Sequence, residues 1–241
     1  GIAHARLFSD EARAQERRAA ELQGLLAQGR LDAIAAQLNP HFLFNALNSI
    51  AELVHHDADR ADRMLVGLSA LLRRSLDSSR LQWVSLREEL DLLAQYLEIE
   101  KVRLGERMQV HWRVAADCLD EAVPPQLLQP LVENAVVHAI ARRIRPGSVR
   151  IGAGLAGGAL WLDVEDDGAE GLPDVEGNGI GLANTRARLQ ALYGDDASLS
   201  IEATATGGTR VSLRLPRRQA MPAGVHDAPV RNMRFDEVAL P

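Results

Sequence analysis

The chain has 241 residues, 46% hydrophobic and 25% charged, with a mean hydropathy of -0.11. That length supports one large or two small domains, and no apolar run reaches the roughly 20 residues of a membrane-spanning helix. A net charge of -6 argues against a direct nucleic-acid surface, and the single cysteine, Cys118, excludes a disulfide framework and a multi-cysteine zinc site. Lys101 is the one lysine among 27 basic residues, so a phosphate-binding lysine is nearly foreclosed. The opening Gly1-Ile2-Ala3-His4 has no initiator Met and no signal-peptide pattern, which reads as a piece excised from a longer protein.

Ser9 to Gln37 carries a thin heptad track, Ala12, Ala19, Leu26 and Ala33, which predicts a coiled-coil signalling helix with residues 1–30 as the linker. From Gln37 to His56, Leu43, Leu47, Ile50 and Val54 recur at helical spacing, with Phe42, Ala46 and Leu53 widening the stripe. His41, Asn45, Asn48 and Glu52 fall together on the opposite, polar face. Leu31, Ile34 and Leu38 project to the His41 side, so a kink is expected at Asn39-Pro40, where proline removes a helical hydrogen bond. Asp59 to Ser79 reads as a second amphipathic helix, with Met64, Leu65, Leu68, Leu71, Leu72 and Leu76 inward. The short connection predicts an antiparallel hairpin over residues 31–84. Two such hairpins would bury their apolar faces together, which predicts a homodimer held by a four-helix bundle.

Ser85-Leu86-Arg87-Glu88 is a capping-box sequence and opens a helix that stops near Leu104-Gly105. Met108 to Val114 alternates as a strand does, Pro124-Pro125 breaks the pattern, and Gln126 to Ala139 reads as a helix. Val149–Leu155 and Leu160–Val164 form a predicted hairpin around Gly157-Gly158, and Leu199–Ala203 with Arg210–Leu215 another around Gly207-Gly208. Between them lie a Gly/Asp-rich loop from Asp166 to Ile180 and a helix from Gly181 to Tyr193. The fold class is α+β, with a sheet carrying helices on one face over residues 85–216. Residues 217–241 have no period and are expected to be a disordered tail.

Two groups of residues carry chemistry. The first is Asn39-Pro40-His41-Phe42-Leu43-Phe44-Asn45. A neutral imidazole, with an unperturbed pKa near 6.5, is a usable nucleophile when a partner domain can reach it. The second is Glu133-Asn134, Asp166-Asp167-Gly168, Gly177-Asn178-Gly179-Ile180-Gly181-Leu182 and Gly207-Gly208-Thr209. Glycines directly before a helix let backbone N–H groups cradle phosphate, but neither a Walker loop nor a dinucleotide fingerprint is present. Asn134 offers an amide oxygen suited to Mg²⁺, and Asp166 a carboxylate able to accept from an amino-purine.

The first motif, with Tyr96-Leu97-Glu98-Ile99-Glu100-Lys101-Val102-Arg103, resembles the dimerisation and phosphoacceptor region of LytS-like (AlgZ-like) sensor histidine kinases. Gln129-Pro130-Leu131-Val132-Glu133-Asn134-Ala135 and Gly177-Asn178-Gly179-Ile180-Gly181-Leu182-Ala183-Asn184 are similar to the N and G2 boxes of their GHKL-type ATP-binding domain. The resemblance implies that His41 is autophosphorylated from ATP; Asn45, one turn below it, is a candidate to orient water or phosphate, as in a phosphatase acting on a response regulator. It implies that Asn134 holds Mg²⁺ and that Asp166 binds adenine. Gly177, Gly179 and Gly181 would lie at the lid and phosphates and Thr209 near the adenine; Gly168, Leu182, His138 and Arg188 join them as candidate cofactor-binding residues. It also implies a homodimer that passes phosphate to an aspartate on a response regulator receiver domain, often one with a LytTR-type output. Transmembrane sensor helices upstream of residue 1 would make this the cytoplasmic part of a bacterial inner-membrane protein.

The sequence departs from that pattern in four places. Val137 stands where the family often has lysine, so an arginine (Arg142, Arg143, Arg186 or Arg188) must supply the positive charge. Glu170 interrupts the G1 box, and Phe42 follows His41 where other subfamilies place an acid. Pro130 replaces the water-activating glutamate of ATP-hydrolysing relatives, which fits transfer to histidine. The alternative reading is a degenerate nucleotide-binding scaffold in which Val137 and Glu170 mark lost catalysis.

Overall fold

A computed structural model describes residues 40–78, 81–141, 143, 145–168, 180–205 and 207–219. The heptad segment, the kink at Asn39, Gly177 and Gly179, and the tail from residue 220 lie outside the described residues. The chain divides into two units, Gly1–Asp57 and Ala58–Pro241. No described helix is long and apolar enough to cross a membrane.

In the first unit the described chain is a single helix, α1 (Pro40–His56). Phe42, Ala46 and Ile50, four residues apart, are buried. Leu47 and Val54 are 50% and 54% exposed, and Phe44 is 68% exposed. The expected apolar stripe is thus covered along one edge, through Phe42 and Ala46, and open along the other. Asn48 and Glu52 on the polar face are exposed as expected.

The second unit begins with α2 (Ala58–Ser78), which buries Ala61, Met64, Leu68, Leu71 and Ser75. Leu65, expected inward, is exposed beside Val66, so the buried line is narrower than the apolar one. A two-residue strand β1 (Val84–Ser85) leads into α3 (Leu86–Leu104). The capping box forms in full: Glu88 N–H donates to Ser85 Oγ at 3.2 Å, and Ser85 N–H to Glu88 Oε2 at 2.8 Å. α3 buries Leu86, Leu90, Leu93, Tyr96 and Leu97 and packs against α2 in antiparallel fashion. Arg60 Nη2 of α2 donates to the Val102 carbonyl at 2.9 Å, and a Cβ at Gly67 would lie 3.9 Å from Ile99.

The remaining elements are β2 (Met108–Val114), β3 (Ala122–Val123), α4 (Gln129–Ala135), β4 (Gly147–Ala156), β5 (Ala159–Asp166), α5 (Ile180–Tyr193), β6 (Ser198–Ala203) and β7 (Thr209–Pro216). The main sheet runs β2-β4-β5-β7-β6, parallel between β2 and β4 and antiparallel elsewhere. Its apolar face is Val149, Ile151 and Ala153, then Leu160, Leu162 and Val164, then Val211, Leu213 and Leu215, all buried. α4 packs on β5 and on α5. Gly157 and Gly158, at φ 57° and 74°, make the tight turn that the glycine pair predicts.

The helix expected from Gln126 to Ala139 is shorter and two-part. Gln126 takes a positive φ of 56°, α4 starts only at Gln129, and a π-helical turn follows over Val136–Ala141. Arg107 Nη2 secures that turn by donating to the carbonyls of Ile140 (3.2 Å) and Arg143 (2.5 Å). β1 pairs with β3, and residues 217–219 return to the same ribbon rather than leaving as tail. Arg217 bonds Glu121 Oε1 through Nε and Nη2 at 2.9 and 2.7 Å, and Ala122 N–H donates to the Arg218 carbonyl at 2.5 Å. The Arg218 guanidinium sits 4.1 Å over Trp83, whose ring meets Tyr193 edge-on at 5.6 Å.

Candidate nucleotide site and histidine-bearing helix

The site is built around the end of β5. Strand pairing places Asp166 opposite Val149, and its carboxylate then organises the turn that follows. Asp166 Oδ1 accepts the Gly168 N–H at 2.8 Å and faces the Thr209 N–H at 3.4 Å. Gly208 approaches so closely that an added Cβ would lie 1.9 Å from the Asp166 carbonyl oxygen, a contact with backbone that nothing can relieve. The Gly208 N–H donates to Thr204 Oγ1 at 2.9 Å, and Thr209 is buried. Asp166, Gly168 and Thr209 are therefore brought together, with Gly208 as the residue that permits it. Asp166 is half-buried, so it presents an acceptor in a partly desolvated place.

Asp167 does different work. Its Oδ2 accepts from Ser148 Oγ at 2.8 Å, and its carbonyl accepts from Arg143 Nη1 at 3.0 Å. This commits Arg143, one of the arginines considered for phosphate, to holding the strand end.

Asn134 is half-buried near the end of α4, the helix packed on β5. His138 lies in the π-helical turn just beyond it. π-helical turns within helices frequently occur at functional sites. α5 meets α4 through Gly181, where a Cβ would sit 3.4 Å from Pro130 Cβ, and Leu182 beside it is buried. Two turns further along α5, Arg188 Nη1 donates to the Pro125 carbonyl at 2.6 Å. Burial lowers its pKa, opposed by the nearby Glu89 carboxylate. Arg188 is thus bound to the loop that precedes α4. Arg186 on the same helix is exposed.

Sequence reading missed Glu89. It is fully buried in the first turn of α3, and burial pushes its carboxyl up to about 7 against the lowering effect of backbone N–H groups. On a 3.6-residue wheel it falls about 60° from Leu86, on the edge of the apolar stripe, which is the signal that would have found it.

Among the described residues no group of three His, Cys, Asp or Glu is arranged to hold a metal by itself. A single amide oxygen such as that of Asn134 suits an ion that keeps water and substrate oxygens as its other ligands, and Mg²⁺ behaves that way. His41 and Asn45 stand on α1 in the first unit, Asn45 half-buried.

Residues 29–108 match the family model described as histidine kinase, and residues 120–219 match the histidine kinase-, DNA gyrase B- and HSP90-like ATPase model. The sensor protein LytS of Staphylococcus epidermidis is 34% identical over 215 residues, which is 83% of this chain and 36% of that protein. The sensor histidine kinase BtsS of Escherichia coli K12 is 34% identical over 196 residues, 81% of this chain and 35% of that protein. A solved histidine kinase domain from Erythrobacter litoralis is similar with a TM-score of 0.45 and 18% identity, over 73% of this chain and 94% of that one. The chain spans little more than a third of the length of the curated relatives it matches. With the histidine-bearing helical region ahead of the ATPase domain, and these relatives over four fifths of its length, the chain belongs to the LytS-like sensor histidine kinases.

Proposed function

We propose that this chain is an ATP-dependent histidine autokinase whose phosphoacceptor is His41. The observation that carries the reading is the carboxylate of Asp166. It is oriented by the Gly168 N–H, and Gly208 packs on the Asp166 backbone carbonyl with no room for a side chain. Such an acceptor, held half-buried at a strand end, suits the exocyclic amine of adenine. Thr209 borders the same place, and Gly168, Gly177, Gly179, Gly181 and Leu182 are assigned to the nucleotide and its lid.

The reaction is an in-line displacement. An unprotonated ring nitrogen of His41 attacks the γ-phosphorus of ATP, and the N–P bond forms as the bond to the β,γ-bridging oxygen breaks. ADP leaves with that electron pair, and the ring sheds the proton on its other nitrogen. Asn134 would hold Mg²⁺, which supplies neutralising charge at the phosphates when bound. With Arg143 held on Asp167 and Arg188 on Pro125, Arg186 is the described arginine assigned to the phosphates, and His138 lies close in sequence to Asn134. Catalysis is then mostly positioning and charge stabilisation. Asn45 is assigned to orient phosphate or water beside His41.

The open edge of α1 (Phe44, Leu47 and Val54) supports a homodimer in which a second copy covers it. The partner downstream is a receiver domain of a response regulator, whose aspartate takes the phosphoryl group, with a LytTR-type output as the finer proposal. The parent protein is assigned to a bacterial inner membrane through segments upstream of this chain.

Incubation with γ-labelled ATP and Mg²⁺ tests the reading. The expected product is an acid-labile, base-stable phosphoprotein. His41→Ala should lose the label and keep nucleotide binding, while Asn134→Ala should lose both label and Mg²⁺-dependent affinity. Acid-labile label surviving on His41→Ala would overturn the assignment.

A further inference from the structure

Glu89 bonds none of the residues gathered at Asp166; its buried carboxylate instead holds the turn before α4, which is itself bonded to α2 and α5. Oε2 accepts the Gln126 N–H at 2.7 Å and Oε1 the Leu128 N–H at 2.9 Å. Gln126 is the one non-glycine residue with positive φ among the described residues. Its side-chain Nε2 reaches back to the last turn of α2, donating to Ser75 Oγ at 3.0 Å and to the Ser75 carbonyl at 3.3 Å. On the other side of the loop, the Pro125 carbonyl is held by Arg188 of α5, whose charge faces Glu89.

A left-handed turn at this place needs no carboxylate if glycine stands there. The chain instead keeps a glutamine in that conformation and restrains it from both ends. Strained backbone persists only where its surroundings over-determine it. The restrained turn leads directly into α4, which starts at Gln129 and carries Asn134. A helix moves as a rod, so a shift of the turn is carried to Asn134.

We propose that Glu89 is a positioning residue that fixes the left-handed turn at Gln126, and so sets where α4 presents Asn134 and where Arg188 anchors α5, joining the end of α2 to the nucleotide site. This rests on the kinase reading above. Glu89 touches no reacting atom in that scheme.

The test measures MgATP affinity, and KM against kcat for autophosphorylation, in the 241-residue chain. Glu89→Gln turns an amide NH₂ toward one of the two backbone N–H groups, and it should weaken MgATP binding roughly ten-fold, with KM rising more than kcat falls. In a Gln126→Gly background, where the turn needs no restraint, the same substitution should weaken binding less than about two-fold. Should Glu89→Gln not fold, Gln126→Ala and Gln126→Gly carry the same test. Both lose the Ser75 bond, but only alanine should weaken MgATP.

Unchanged affinity in Glu89→Gln, an equal loss in both backgrounds, or equal affinity of the alanine and glycine variants would overturn the proposal. In each case labelling of the unaltered chain would leave the kinase reading intact. An unaltered chain that neither binds MgATP nor takes label takes both down.

Discussion

α1 and α3 are amphipathic helices of similar length, 17 and 19 residues, and the chain treats them in opposite ways. Every leucine on the inner stripe of α3 is buried, and even Glu89 and Glu100 are enclosed with partners, Arg103 bonding Glu100 and backbone N–H groups bonding Glu89. α1 buries one edge of its apolar face and leaves Phe44, Leu47 and Val54 open. A stripe that its own chain closes builds a core. One left open at matching spacing calls for a surface from outside, which the proposed homodimer would supply by symmetry.

That contrast can be broken experimentally. The largest effect is expected from placing charges on the open edge. Leu47→Glu with Val54→Glu should weaken self-association on the order of 1,000-fold, because a dimer would have to bury unpaired carboxylates. Sedimentation of the variant should show monomer, with melting of the second unit unchanged; a dimer of wild-type affinity would refute the contrast. On the closed side, Leu90→Ala should lose about 3 kcal/mol in urea unfolding, at any protein concentration. A concentration-dependent loss would mean that α3 too is completed from outside.

Glu89 sharpens the closed side through pH. Its carboxyl sits at about 7 in the folded chain, above its ordinary value of 4.5, because burial disfavours the charge. Between those values the native state binds a proton that the unfolded chain has released. Stability therefore falls as pH rises through that window and levels off above it, by at most about 3 kcal/mol from this group. Asp91 and Asp163, raised by burial as well, act in the same direction. Urea unfolding of Glu89→Gln from pH 4.5 to 8 should show a flatter profile than the unaltered chain; an identical profile would contradict it. The smallest effect is expected at Leu81, exposed between α2 and β1, where Leu81→Ser should change stability by less than about 0.5 kcal/mol.

Local signals in the sequence were read well because their causes are local. The Ser85–Glu88 capping box, the alternation of Met108 to Val114 and the glycine pair at residues 157 and 158 each specify geometry within a few residues. What escaped depends on distant pairing. Gln126 has no residue-type signal for a positive φ, because the groups that hold it there, Glu89 and Ser75, lie 37 and 51 residues away. The return of Arg217 and Arg218 to Glu121 and Trp83 spans the whole ATPase domain, and without those partners two arginines after a proline read as tail. The parallel pairing of β2 with β4 has no local mark either.

At the site, Asp166, Gly168 and Thr209 were legible as a motif, and the structure adds the reason Gly208 belongs with them. Nothing local announces that Arg188 bonds the carbonyl of Pro125, 63 residues back. α1 shows the limit of periodicity. The wheel identified an apolar face, but not which edge one chain would cover.

The central claim is that the imidazole at position 41 takes the γ-phosphoryl group. Mass-spectrometric mapping of phosphate at neutral pH, after incubation of the chain with ATP and Mg²⁺, reads it directly. The account predicts the phosphoryl group on the α1 peptide at His41 and on no other residue. Phosphate on a different side chain, or none on a chain with MgATP bound, would contradict it.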